Sequence, residues 1–164
     1  RLDQRSRSGA REIIADYPMG IKFKIVTPEK TVVEEDIYQA LLPIEGGEIT
    51  VLPNHIPYIG SLQAGEILLR HEINGEETSL ATSGGFIEFH DNVLVVLADT
   101  AERADEIDLA RAEEAEERAK KIMAERVRTD DEEYARVAAA LEKEMARVRV
   151  ARKHRSRSGQ MTSL

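Results

Sequence analysis

At 164 residues, with 41% hydrophobic side chains, the chain can bury one core of ordinary size or a small core with an appendage. Its net charge of −8 argues against general nucleic-acid binding, which needs lysine and arginine in excess to neutralise phosphates. Cysteine is absent, which excludes disulfides, thiolate metal sites and a catalytic thiol.

The N-terminal stretch RLDQRSRSGAREIIADYP has no apolar segment of signal-peptide type, and Arg1 does not read as a translation start. RSRSG occurs at Arg5–Gly9 and again at Arg155–Gly159. Two copies bracketing the patterned sequence read as linker rather than as an RNA-binding tail. Residues 1–18 are therefore expected to be a disordered extension, with the fold starting at Met19, and residues 154–164 a disordered basic tail. No run of about 18 apolar residues occurs, so no single helical span of a membrane is expected.

From Gly20 to Asp99 the hydrophobic period is two. Ile21, Phe23 and Ile25 alternate with lysines until Thr27-Pro28 ends the run, the pattern of a half-buried strand. Ile37–Ile44 and Ile49–Leu52 are the next candidates. Glu66–Ile73 and Glu76–Thr82 flank Asn74-Gly75, a dipeptide suited to a type I′ hairpin turn. Ser83-Gly84-Gly85 reads as a further connection, followed by Phe86–Phe89 and Val93–Ala98 around His90-Asp91-Asn92. Short strands at this spacing predict an antiparallel β-sandwich or flattened barrel over residues 19–102.

At Asp99 the period turns helical, and neither glycine nor proline occurs from Ala101 to Ser158. Thr129 and Glu132 have capping-box spacing, so a second helix is expected to begin at the break Arg128–Glu132. Ala112, Ala115, Ala119 and Ile122 form the apolar stripe of the first helix. Tyr134, Ala138, Leu141, Met145 and Val148 form that of the second. So short a connection predicts an antiparallel helical hairpin over residues 103–153, making the whole an α+β chain. Alanine contributes far less on burial than the roughly 1.5–3 kcal/mol of a leucine, so this hairpin is marginal alone and suited to movement.

Little in the chain suggests catalysis. His55, His71, His90 and His154 are scattered without metal-ligand spacing, and Gly84-Gly85 lacks the GxxxxGK[ST] pattern. Ser61 and Ser83 lack the surroundings of a nucleophile elbow. No catalytic residue, metal site or required cofactor is assigned. Pro53 and Pro57 stiffen the loop around Asn54-His55-Ile56, which spacing alone explains as a rigid turn. Asp108, Arg111, Ala115 and Arg118 fall on one helix face, and pairing with Glu114 and with each other gives about 0.2–0.5 kcal/mol per pair.

Four stretches together resemble the epsilon subunit of F-type ATP synthases, called delta in mitochondria. They are KFKIVTPEKTVVEEDI, EGGEITVLPNHIPYIGSLQAGEI, SGGFIEFHDNVLVVLADTAERADEID and IDLARA. The resemblance runs from Met19 to about Arg152 and implies a β-sandwich followed by a helical hairpin. It implies a non-catalytic rotor subunit that links gamma to the c-ring, couples proton flow to ATP synthesis and restrains ATP hydrolysis through its helices. Gamma, the c-ring and the catalytic beta and alpha subunits are the implied partners. The expected location is the cytoplasmic face of a bacterial membrane, or its organelle equivalent, reached only through the c-ring.

By the same resemblance, Glu48, Asn54 and His55 become c-ring docking residues. Ile107–Ala112 matches the I/L-D-x-x-R-A motif of ATP-binding members, which implies ATP as a regulatory ligand at Glu102, Asp108, Arg111, Arg118, Lys143 and Arg147. Lys143 departs from the arginine of stronger binders and loses the bidentate fork. The basic end of the second helix, with Arg147, Arg149, Arg152 and Lys153, is implied to face an acidic segment of the beta subunit. Two other classes stay open on the residues alone: a free-standing nucleotide sensor, and an RNA-binding adaptor using Arg147–Arg157.

Overall fold

The computed structural model describes residues 20–125 and 131–161. The expected N-terminal extension, the first RSRSG and the Thr129 of the capping box lie outside the described residues.

Among the described residues, eight strands and then two helices follow one another. The strands are β1 (Ile21–Val26), β2 (Thr31–Ile37), β3 (Gln39–Ile44), β4 (Gly47–Val51), β5 (Tyr58–Arg70), β6 (Glu77–His90), β7 (Val93–Ala98) and β8 (Ala101–Arg103). They form one hydrogen-bonded sheet in the order β2-β1-β7-β6-β5-β3-β4, with β8 paired to β6. All pairs are antiparallel except β1 with β7. The sheet folds back on itself. Phe23 and Ile25 near one end of the strand order share a single buried cluster with Leu42 and Val51 at the other end. That closure makes the expected sandwich.

β1 buries Ile21, Phe23 and Ile25 on its inner face, as its alternation predicts. The stretch expected as one strand from Ile37 to Ile44 is instead divided. Ile37 ends β2 opposite Ile21, and the chain bends at Tyr38 before β3.

The glycine pair is not a connection. Gly84 and Gly85 lie inside the continuous 14-residue β6, at φ of 118° and 139°. There β6 changes neighbours, from β8 opposite Leu80–Thr82 to β7 opposite Gly85–His90. A Cβ on Gly85 would stand 2.0 Å from the Leu97 carbonyl oxygen, so only glycine fits. Before this point both faces of β6 are covered, and Ser79, Leu80, Ala81 and Thr82 are all buried. Beyond it Ile87 and Phe89 point inward, while Phe86 and Glu88 face solvent.

Asn74-Gly75 does not close a two-residue turn either. Arg70 pairs with Glu77 across a six-residue connection, and only Asn74 of the two has positive φ. The geometry expected there occurs at Asp91-Asn92, which joins His90 to Val93 with φ of 50° and 58°.

The helical period also starts later than Asp99. Ala101–Arg103 pairs with β6 as β8, and the first helix, α1 (Leu109–Glu125), begins after a turn. Its partner α2 (Asp131–Met161) runs on through much of the stretch expected as a disordered tail. Along the expected stripes, Ala112, Ala119 and Val148 are buried, but Ile122, Tyr134 and Met145 are exposed. Besides Val148, α2 buries Ala146, Val150 and Ala151, which lie off the expected stripe. Its inner face is set by packing on β5 and β6 as well as on α1, so a two-helix stripe could not define it.

Candidate functional site

Two regions carry the residues singled out in the sequence, and they lie towards opposite ends of the sandwich. β7 leads from the Asp91-Asn92 turn at one end to Thr100–Glu102 beneath α2 at the other. Its six residues span roughly 20 Å at about 3.3 Å each.

The first region is the loop between β4 and β5. The Asn54 amide donates to Asn92 Oδ1 at 2.6 Å, and Asn92 Nδ2 donates back to Asn54 Oδ1 at 3.2 Å. Asn54 takes φ of 65°, a left-handed conformation that asparagine tolerates better than most residues. The loop is thus clamped to the β6–β7 turn as well as stiffened by its prolines. Asn54 and Ile56 are exposed. His55 is not an open turn position: it is half-buried, 5.8 Å from Phe89 in an edge-on ring contact.

Glu48 is exposed near the start of β4, so this short strand separates it from the Asn54 loop. Glu48→Lys is expected to leave thermal stability unchanged, since exposed substitutions usually stay within about 0.5 kcal/mol. His55→Asp is expected to cost about 0.5–1.5 kcal/mol through the lost edge contact. Thermal melts of the two single variants read the difference directly.

The second region lies where α2 crosses the sandwich. Lys143 and Arg147, one turn apart on α2, line a cavity of about 370 Å³ with Thr27, Thr82, Asp99, Thr100 and Glu102. Arg147 Nε donates to Glu102 Oε2 at 2.7 Å, and its Nη1 donates to Glu144 Oε2 at 2.7 Å. The guanidinium pKa is raised, chiefly by the Glu102 hydrogen bonds, against desolvation and with help from Glu144. Arg147 is thus held by Glu102 and Glu144, whereas Lys143 makes no ion pair among the described residues.

Asp108, Arg111 and Arg118 do not line this cavity. Asp108 stands before the helix rather than on its face. Its Oδ1 accepts from the Arg111 amide at 3.2 Å, and its carbonyl accepts from Ala112 at 3.0 Å, which makes it the N-cap of α1. The Arg111 side chain, 85% exposed, pairs with Asp108 at 3.3 Å, and Arg118 pairs with Glu114 at 3.7 Å. The structure thus gathers Glu102, Lys143 and Arg147, and leaves the other three in the local ion pairs their spacing predicts.

Sequence reading missed an apolar strip on the outer face of the sheet. Phe86 and Leu97 are cross-strand partners on β6 and β7, 62% and 55% exposed, and Ile59 on β5 is 76% exposed. Ser61 faces Phe86 from β5, so the strip crosses three strands. Outward hydrophobics flanking the glycine pair were the available signal.

Residues 20–104 match the family model of the ATP synthase delta/epsilon chain beta-sandwich domain, and residues 105–152 match that of its long alpha-helix domain. The chain belongs to the ATP synthase delta/epsilon chain family. The ATP synthase epsilon chain of Dehalococcoides mccartyi is 44% identical over 135 residues, covering 82% of this chain and 94% of the relative. That of Desulfitobacterium hafniense is 42% identical over 129 residues, covering 79% and 94%. A chain in the cryo-EM structure of Euglena gracilis mitochondrial ATP synthase, OSCP/F1/c-ring, has the same fold, with a TM-score of 0.66 at 22% identity over 80% of this chain and 81% of that one. A Tetrahymena thermophila mitochondrial ATP synthase central stalk/c-ring chain gives 0.53 at 14%, over 82% and 95%.

This delta/epsilon-family chain is an epsilon-type, non-catalytic subunit of the ATP synthase. No helix among the described residues is long and apolar enough to cross a membrane.

Proposed function

We propose that this epsilon-type subunit joins gamma to the c-ring through its sandwich and restrains ATP hydrolysis through its helical hairpin. It would act at the coupling face of the membrane, touching the bilayer's machinery only through the c-ring. The observation that carries this is the presence of two separate hydrophobic clusters. The sandwich core closes without any residue of α1 or α2. A second cluster, with Ala81, Ala104, Ile107, Ala112, Val148, Val150 and Ala151, holds the hairpin. Small side chains bury little area, so the hairpin can leave without opening the sandwich.

The Ile59–Phe86–Leu97 strip supplies an apolar surface for gamma, and the clamped Asn54 loop with Glu48 supplies polar positions for the c-ring. Both fit partners that must stay attached while the helices move. The direct test is co-purification: the chain should carry down gamma and the catalytic subunits. A free-standing sensor would bind nucleotide without them, and that result would overturn the assignment.

ATP would enter as a regulatory ligand of the docked hairpin, with phosphate on Lys143 and Arg147. Asp108, Arg111 and Arg118 would join it only by leaving their present ion pairs. Arg111→Ala is expected to weaken ATP binding roughly tenfold or more, since a hydrogen bond to a charged group is worth about 1.5–3 kcal/mol. Arg118→Ala should act in the same direction, Glu114→Ala should not, and Lys143→Arg should tighten binding. Titration of the isolated chain with ATP checks the series. Equal effects at Arg111, Arg118 and Glu114 would leave only a salt-bridged helix face.

A further inference from the structure

We propose that Glu66, Glu77 and Glu102 of the sandwich are an internal counter-surface for α2, occupying its cations so that docking on the sandwich excludes docking on an acidic partner. The proposal rests on the restraining role given above only for the identity of that partner. The latch itself belongs to the isolated chain.

Three cations down α2 meet carboxylates from three different strands. Arg147 meets Glu102 of β8 at 2.7 Å, Lys153 meets Glu66 of β5, and Arg157 meets Glu77 of β6 at 3.1 Å. The contacts extend over ten residues of helix, about 15 Å. Glu66, Glu77 and Glu102 are far apart in sequence, so the fold assembles this acidic surface and the helix reads it.

Glu66 is held for the purpose. Ser79 Oγ donates to its Oε1 at 2.9 Å, leaving Oε2 for Lys153, and its side chain is only 14% exposed. Glu77 is shared between Arg70 of its own sheet and Arg157 of α2. A fourth cation, Arg152, pairs with Glu113 of α1 at 2.8 Å, which ties the two helices to each other rather than to the sheet. Arg149 is exposed and makes no ion pair among the described residues, so it is the cation an acidic partner could meet first.

Beneath these pairs the apolar contact is slight. Ala81 is the sandwich strands' residue in the cluster that holds α2, and its α2 partners are valines and an alanine. Charge therefore decides a large part of whether the helix stays. Charge at a partly exposed interface is also what an acidic competitor, or salt, can displace.

The chain has no cysteine, so labels at Glu45→Cys and Ala139→Cys can report the sandwich-to-α2 distance by pulsed electron paramagnetic resonance. In the full-length chain, Glu66→Gln with Glu77→Gln and Glu102→Gln is expected to raise the detached-to-docked ratio at least tenfold. Removing the same charge at the exposed Glu48, Glu72 and Glu76 should leave the ratio unchanged. Lys153→Gln with Arg157→Gln alters no sandwich residue, so detachment there cannot come from a damaged sheet. It must detach α2 too. An oligo-glutamate peptide should bind the triple glutamine variant at least tenfold tighter than the unmodified chain. A distance distribution unchanged in either charge-removal variant, or equal peptide affinity for the two chains, overturns the latch. Opening of the isolated chain with no change in hydrolysis by the assembled synthase would instead count against the restraining role alone.

Discussion

Gly85→Ala is expected to destabilise the sandwich by more than about 3 kcal/mol, the range reached when an added group meets backbone it cannot displace. The new Cβ would lie 2.0 Å from the Leu97 carbonyl oxygen and 2.9 Å from Ala98 Cα, both on the paired strand. Relief requires β6 and β7 to part just where Gly85 faces Ala98. The φ of 139° adds strain of its own. Gly46→Ala is the comparison. Gly46 also has positive φ, 82°, but nothing lies within 4 Å of its Cβ position. It should lose only the conformational cost of about 1–2 kcal/mol. Melting midpoints for a domain of this size move by about 4–8 °C per kcal/mol, so the two variants should separate by several degrees. Equal midpoints would mean that the strands yield freely at Gly85 and that the glycine is not what lets β6 change neighbours.

Charge reversal on α2 should have the largest functional effect. Arg149→Glu with Arg152→Glu is expected to raise ATP hydrolysis by the assembled synthase severalfold, while ATP affinity of the isolated subunit stays nearly constant. Neither residue lines the cavity with Lys143 and Arg147. Helix-dipole stabilisation near a C-terminus gives about 0.3–1 kcal/mol per charge within the last turn. Arg149 and Arg152 stand well before the end of α2 at Met161, so the dipole does not account for them. Arg152→Glu also breaks the pair with Glu113, so Arg149→Glu alone is the cleaner variant. It should retain a substantial part of the effect. Added salt is no substitute for these variants, because it also screens the pairs that hold α2 on the sandwich. A reversal that leaves hydrolysis unchanged would place the basic end of α2 away from any acidic partner.

The architecture was legible wherever one covered face imposed a period. β1 shows it best: inward Ile21, Phe23 and Ile25 alternate with Lys22 and Lys24 because only one side of that strand is buried. β6 hid its continuity for the opposite reason. Its first half is covered on both faces, so Ser79 to Thr82 show no alternation, and Gly84-Gly85 looks like a break. β8 was invisible because its three residues, Ala-Glu-Arg, favour helix; pairing with Leu80–Thr82 overrides that preference.

In the candidate site, Glu102, Lys143 and Arg147 could be grouped from the family motif but not from local spacing, since 45 residues separate Glu102 from Arg147. Their mutual pairing is a tertiary fact. Asp108 illustrates the converse. Spacing placed it on a helix face with Arg111, yet an aspartate before a run of helix formers is also an N-cap signal, and the amides of the first turn claim it. His55 was assigned to an exposed loop from its flanking prolines, whereas the ring packs on Phe89, a contact between residues 34 apart that no local pattern carries.

The separation of the sandwich core from the hairpin cluster makes truncation after Arg128 the most direct measurement of the central claim, that the sandwich attaches and the hairpin restrains. The truncated chain should stay bound to gamma in the purified synthase, and ATP hydrolysis by that complex should exceed that of the intact complex. If the truncated chain stays bound and hydrolysis is no faster, the hairpin of this subunit does not restrain the enzyme.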